Sequence, residues 1–169
     1  APALNPEGWQ QGDEAAIAVD TQGCRVRLQS ELGRVFAPPV SVEVNDRPHL
    51  ALTMSVDRGR LGTVQFATSD RAGLHSLSFP IRPDGREHVY NLDMLASAAW
   101  EGRVVALAVA PSDVTGAQAR IRELRVSARP HGPPDWEMST WEVDDALPRA
   151  GRPVTLVARL TNTGGTEAS

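Results

Sequence analysis

The chain contains no lysine, a single cysteine and only 5% aromatic residues, and nowhere does it run to the roughly 18 consecutive apolar residues that a membrane-spanning helix needs. Each shortage excludes something. Without an apolar run, no membrane span is expected. With Cys24 alone, neither an internal disulfide nor a paired-cysteine metal site can form. Cys24 alternates in phase with Val26 and Leu28, which makes it a small buried hydrophobe. All 17 basic residues are arginine, set against 21 acidic residues and a net charge of −4, with no basic cluster. Phosphate contacts dominate nucleic-acid affinity, so no nucleic-acid partner is expected. Arginine in place of lysine, with abundant Ala, Val, Gly and Pro, matches the coding bias of a GC-rich bacterial genome. Catalytic signatures are missing too: there is no Gly-x-Ser-x-Gly elbow, His-Glu-x-x-His pair, phosphate loop or Asp-rich calcium loop. The sequence begins Ala1-Pro2-Ala3 without a Met or a charged and apolar leader, as a mature secreted protein or a trimmed chain would.

What is present is a β rhythm. From His49 to Ala128, short segments alternate apolar and polar residues at roughly 10-residue intervals, the period-2 pattern of half-buried strands. Leu50, Leu52, Met54 and Val56 make one apolar face; Val64, Phe66 and Thr68 the next. Then come Leu77, Phe79 and Ile81, followed by Tyr90, Leu92 and Met94, and by Val105, Leu107 and Val109. Upstream, Ile17 and Val19, then Cys24, Val26 and Leu28, then Val40, Val42 and Val44 predict three weaker strands. Ile121, Leu124 and Val126 predict a last one, with a one-residue slip that suggests a β-bulge. Pro83-Asp84-Gly85 has turn chemistry, so residues 75–82 and 86–93 are expected to form a hairpin. About nine strands without an amphipathic helix predict an all-β, two-sheet jelly-roll sandwich over residues 1–128.

Residues 129–135 (Arg-Pro-His-Gly-Pro-Pro-Asp) read as a semi-rigid Pro/Gly linker. Beyond it, Trp136 to Val143 and Pro153 to Asn162 predict two more strands. Val154, Leu156, Ala158 and Leu160 share one face there, and a turn follows at Asn162-Thr163-Gly164-Gly165. An isolated hairpin is marginal in water, so residues 136–169 are expected to be an incomplete β domain or strands that dock on the first domain, with Trp136 and Trp141 at the junction.

Two blocks carry a family resemblance. Trp100-Glu101-Gly102-Arg103-Val104-Val105-Ala106-Leu107-Ala108-Val109-Ala110-Pro111 with Gly116 to Val126 forms one. Phe66-Ala67-Thr68-Ser69-Asp70 with Phe79 to Asp93 forms the other. Together they resemble galactose-binding-like jelly rolls of the carbohydrate-binding-module kind. Residues 150–165 resemble the first strands of bacterial immunoglobulin-like, adhesion-type domains. The resemblance implies a non-catalytic accessory module of a larger secreted or cell-surface bacterial protein, with a glycan and neighbouring domains of the same polypeptide as partners. Two alternatives stand beside it: a structural spacer or domain-interaction sandwich without a small ligand, and the N-terminal part of a glycoside hydrolase whose catalytic domain is not in this sequence. Many such jelly rolls hold a structural calcium through an Asp after the Ile of the last strand. Here that position is Arg122, which repels a cation, and Glu123 points to the opposite face of a regular strand, so no cofactor is expected.

Sugar recognition uses aromatic faces and planar hydrogen-bonding groups. Ala51, Thr53, Ser55, Gln65, Ala67, Ser76, Ser78, Ala106, Ala108 and Ala110 predict a smooth outward surface without Trp or Tyr, better suited to packing against another domain. Loops on a rigid scaffold carry function, so the candidate ligand residues are Asp70 and Arg71 beside Ser69, with His75, and the N-terminal Trp9. His49, His75, His88 and His131 show no metal-ligand spacing and are expected at solvated strand ends or, for His131, in the linker. Paired carboxylates for glycoside hydrolysis would have to come from Asp13, Glu14, Asp70, Asp113 and Asp144. Trp100, just ahead of Gly102, is expected to seal one end of the sandwich.

Overall fold

The computed structural model describes residues 8–143 and 155–165. Two compact units follow one another, Ala1–Arg129 and Pro130–Ser169. The first carries β1 (Gln10–Gln11), β2 (Ala15–Asp20), β3 (Gly23–Leu28), β4 (Val35–Phe36), β5 (Val42–Glu43), β6 (His49–Val56), β7 (Leu61–Thr68), β8 (His75–Pro80), β9 (His88–Asp93), β10 (Arg103–Ala110) and β11 (Gln118–Ser127). A 3₁₀ turn, Met94–Ala96, follows β9 and is capped by the Asp93 carboxylate. No helix among the described residues is long and apolar enough to cross a membrane.

The strands form two antiparallel sheets. The front sheet runs β1-β4-β10-β7-β8, with β5 also on β10, and the back sheet runs β2-β3-β11-β6-β9. This is the expected all-β jelly-roll sandwich. The alternation of β6 translates directly into burial: Leu50, Leu52, Met54 and Val56 are closed to solvent, as are Val64 and Phe66 on β7 and Ile121 and Leu124 on β11. Each such side chain contributes about 1.5–3 kcal/mol of transfer free energy. The bulge expected between Ile121 and Leu124 is present as a register shift between Ile121 and Glu123, which returns Leu124 and Val126 to the core. Cys24 is buried and free, and burial together with the nearby Asp20 charge pushes its thiol pKa up to about 11.

Three expectations are corrected. Residues 75–82 and 86–93 do not form a hairpin: β8 pairs with β7 in the front sheet and β9 with β6 in the back sheet. The Pro83-Asp84-Gly85 turn is real but serves as a corner between sheets. Gly85 adopts φ +72° and donates its N–H to Val56 O at 2.9 Å, while Asp84 accepts from the Arg86 N–H at 2.9 Å. Turn chemistry specifies a reversal, not which sheet receives the next strand. Second, Val104 rather than Val105 faces the core, because β10 shifts register against β7 between Val104 and Ala106. Third, the smooth Ala/Ser surface is divided. Ala51, Thr53 and Ser55 lie on β6 of the back sheet, whereas Gln65, Ala67, Ser76, Ser78, Ala106, Ala108 and Ala110 lie on the front sheet.

Trp100 seals one end as expected. Its ring meets Phe66 edge-on at 5.0 Å, and its Nε1 donates to Arg47 O at 2.9 Å, so one side chain joins the core to the β5–β6 loop.

In the second unit, β12 (Trp136–Val143) and β13 (Leu156–Asn162) form an antiparallel ribbon. Thr163 N–H reaches Asp135 O at 2.8 Å and Gly165 N–H reaches Gly132 O at 3.2 Å, so the Pro/Gly segment braces the end of this ribbon. Asn162 Oδ1 accepts from the backbone of Gly164 at 2.9 Å, which makes the expected turn. Leu156, Ala158 and Leu160 of the expected apolar face are exposed, as are Trp136 and Met138. Val154 lies outside the described residues, and so does the side chain of Trp141.

Candidate functional site

Of the residues singled out from the sequence, Asp70 and Arg71 are exposed in the loop between β7 and β8, whereas Trp9 is buried and the His75 ring packs on Phe66. Asp70 and Arg71 stand in the β7–β8 loop at one end of the front sheet. Ser69 N–H donates to Arg103 O at 2.8 Å, and Ser69 Oγ donates to Asp70 Oδ1 at 2.6 Å. Arg71 Nε donates to Glu101 Oε1 at 2.6 Å. Gly102, at φ +66°, sits so close to the Asp70 carboxylate that any side chain there would collide with it. Its N–H is taken by Asn45 Oδ1 at 2.8 Å. Three loops thus converge on an exposed, hydrogen-bonded cluster of both charge signs. Trp9, by contrast, is 6% exposed and belongs to the core, so it is a plug with no face left for a ligand. His75 is not a solvated strand-end residue either. It alternates inward, its ring lies 5.6 Å from Phe66, and its Nε2 is closed to solvent with no hydrogen-bond partner among the described residues.

The front sheet holds an aromatic that alternation did not reveal. Phe36 occupies a strand of two residues, too short to display a period, and it turns outward at 37% exposure. The register places Gln10 beside Phe36, Phe36 beside Ala108, Ala108 beside Gln65 and Gln65 beside Ser76. One row across the sheet therefore reads Gln10, Phe36, Ala108, Gln65, Ser76. Arg34 joins it by donating from Nη1 to Gln65 Oε1 at 3.2 Å, while its Nε is shut from solvent without a partner among the described residues. Phe66, Phe79 and Trp100 are buried and Tyr90 half-buried, which leaves Phe36 as the exposed ring among the described residues of this unit. An apolar ring flanked by two amides and a guanidinium offers stacking together with planar hydrogen bonding. From Gln65 to the Asp70 loop is a stretch of four to five residues along β7, roughly 15 Å.

The back sheet presents a different surface. A groove of about 480 Å³ crosses β2, β3, β11 and the end of β6. The side chains turned into it are Ala16 and Ala18 on β2, Arg25 and Arg27 on β3, and Gln118 and Arg120 on β11, while Ile17, Val26 and Ala119 line it by their backbone because their side chains turn to the core. Arg25 and Arg120 lie opposite each other on β3 and β11, and both turn to the Asp20 carboxylate, at 3.4 and 3.3 Å. Asp57 closes one end. Although burial works to raise its pKa, the Gln118 N–H at 2.8 Å and the Arg58 guanidinium at 3.0 Å outweigh it and hold the carboxyl below its ordinary value. Two-residue alternation on β3 and β11 marks these arginines as outward, but only the pairing of strands about 100 residues apart makes them neighbours.

At the position where a structural calcium was considered, Arg122 pairs with Glu87 at 2.9 Å. The bulge overturns the expected orientation of Glu123: Arg122 and Glu123 both fall between the buried Ile121 and Leu124, on the solvent side. Glu123 accepts from Arg125 Nε at 2.8 Å. Among the described residues no group of three or more His, Cys, Asp or Glu side chains could hold a metal ion. Of the carboxylates weighed for hydrolysis, Asp13 faces Arg34, Glu14 bonds Ser30, and Asp113 accepts from the Arg60 N–H at 2.8 Å; Asp144 lies outside the described residues.

Similarity to solved structures decides the architecture. A point mutant of a family 29 carbohydrate-binding module superposes with a TM-score of 0.54 at 16% identity, covering 73% of this chain and 83% of that one. Another structure of the same module family gives 0.51 at 16% identity, covering 73% and 80%. The jelly roll is shared with this family. The glycoside hydrolase domain of Endo-D from Streptococcus pneumoniae R6 matches at 0.51 and 13% identity, over 92% of this chain but only 26% of that one. At these identities the likeness extends to the fold alone. No protein-family model and no curated protein matches the sequence.

Proposed function

We propose that this chain is a non-catalytic glycan-binding module of a larger secreted or cell-surface bacterial protein. The observation that carries the reading is the front-sheet row of Phe36 between Gln10 and Gln65, on a jelly roll shared with carbohydrate-binding modules. A sugar ring stacks its C–H face on Phe36, and its hydroxyls bond the amides and Arg34. The Asp70–Arg71 loop, at one end of the same sheet, meets a longer chain further on. In this reading the parent takes part in polysaccharide processing, in keeping with the presence of a similarly folded part in the glycoside hydrolase domain of Endo-D. In this reading β12 and β13 open an immunoglobulin-like neighbour in the same polypeptide, whose further strands would cover Met138, Leu156 and Leu160.

Affinity electrophoresis of the whole chain against neutral plant and bacterial polysaccharides tests this. At least one should retard the protein, and Phe36→Ala should abolish that retardation while leaving the melting temperature within a few degrees. If Phe36→Ala binds as well as the parent sequence, the front row is not the site. The second reading, a spacer that packs on a neighbouring domain, draws on Ala67, Ala106 and Ala110 beside that row, and it is the one left standing if no polysaccharide binds.

A further inference from the structure

We propose that the back-sheet groove is a second saccharide site, selective for sugar units that carry an anionic group. This rests on the reading of the chain as a glycan-binding module. The argument begins with charge. Like charges placed directly opposite on neighbouring strands repel, yet Arg25 faces Arg120 here, with Arg27 two residues further along β3 on the same side. Asp20 is shared between Arg25 and Arg120. Arg27 has no ion pair or side-chain hydrogen bond among the described residues, and Asp57, the carboxylate that lines the groove, is already occupied by Gln118 and Arg58. An otherwise acidic protein, at −4, therefore concentrates unneutralised positive charge along a shallow, open groove.

Shape and chemistry narrow the ligand. About 480 Å³ lies within the range of small-ligand sites, roughly 300–1,000 Å³. Ala16 and Ala18, beside Arg27 and Arg25, give the C–H face of a sugar a small apolar contact, and guanidinium forks match carboxylate or sulfate oxygens. No aromatic side chain lines the groove, which disfavours single-stranded nucleic acid, whose bases need stacking platforms. The anion is thus a uronate carboxylate or a sugar sulfate presented on an otherwise hydroxylated ring.

The test is affinity electrophoresis of the whole chain in polygalacturonate, in the same polymer fully methyl-esterified, in carrageenan, a sulfated galactan without uronate, and in neutral galactomannan. Retardation by polygalacturonate or carrageenan is expected, weakening as salt rises, and their ratio tells carboxylate from sulfate. Arg27→Gln should weaken it about tenfold, Arg27→Glu should abolish it, and Arg27→Lys should keep most of it. Phe36→Ala should leave it intact. Equal retardation by the methyl-esterified polymer, or indifference to Arg27→Glu in a chain with an unchanged melting temperature, overturns the anionic site while leaving glycan binding standing. Retardation by neutral polysaccharide alone does the same. Failure of every polysaccharide overturns both readings.

Discussion

The two outer faces of the sandwich are built from strands of similar length and pattern, and they differ in what alternation turns outward. The front sheet shows mostly small neutral residues around one aromatic ring, with Arg34 reaching in to Gln65 and the pairs Arg71–Glu101 and Arg103–Glu43 at the loop end. The back sheet carries its charges on the strands themselves, as Arg25, Arg27, Arg120, Arg122 and Arg125, some shared among fewer carboxylates. A face of the first kind recognises by shape and stacking; one of the second kind recognises by charge, and its affinity falls with salt. One core underlies both, so a module of modest size can present two chemistries without a second fold.

The largest perturbation should erase the contrast altogether. Phe66 is fully buried beneath the front sheet and touches both Trp100 and His75. Phe66→Ala should cost about 3–5 kcal/mol, seen as a lower denaturant midpoint, and both faces should fail together. Loss of one face alone would mean that the sheets are less coupled than their shared core implies. Asp20→Asn should act on the back face only. Without the carboxylate shared by Arg25 and Arg120, stability at low salt should fall by at most about 1 kcal/mol, the usual scale for exposed ion pairs. Added salt should shrink that loss, and retardation by acidic saccharide should increase. A salt-independent loss would show that Asp20 acts through its bond to the Gln22 N–H instead.

The smallest effect compares one carboxylate from each sheet. Asp57 ties the end of β6 to the start of β11, and Asp113 takes the Arg60 N–H just before β7. Both titrate below their ordinary 3.8. For Asp113 the Arg60 hydrogen bond is the leading cause; for Asp57 burial opposes the shift, and the Gln118 and Arg58 bonds prevail. A depressed carboxyl pKa stabilises the fold above the unfolded value, and that stabilisation disappears as pH falls through the folded value. Both groups are open to water, so each should contribute only about a few tenths of a kcal/mol. Urea midpoints followed from neutrality through the carboxylate range should fall less steeply in Asp57→Asn and Asp113→Asn. An unchanged slope in either would remove that residue from the acid response.

Most of the core was legible because period-2 alternation directly encodes which side chains meet, as Leu50, Leu52, Met54 and Val56 illustrate. Pairing was not. Pro83-Asp84-Gly85 announces a turn, but whether β8 and β9 share a sheet depends on where β6 and β7 have space for a neighbour. The Val104–Val105 exchange arises from a bulge defined by contacts with β7, so the β10 sequence alone could not place it. Of the site, the Asp70–Arg71 loop could be read as an exposed polar turn. Phe36 could not, because two residues carry no period, and Trp9, a candidate that is more often a core plug than a platform, is such a plug. Arg25 and Arg120 were visible as outward residues, yet only the β3–β11 register makes them a pair.

The sheet orders carry one more consequence. β10 and β11, the last strands of the first unit to leave a ribosome, sit in the middle of the front and back sheets. Until they emerge, β1 and β4 have no partner linking them to β7 and β8, and β2 and β3 none linking them to β6 and β9. During synthesis each sheet therefore lacks its joining strand until late, and two insertions, β10 into the front sheet and β11 into the back sheet, close the faces. A chain cut anywhere before Ser127 would lose part of a central strand rather than an edge, and would leave the apolar sides of the unjoined strands open to other chains in the same state.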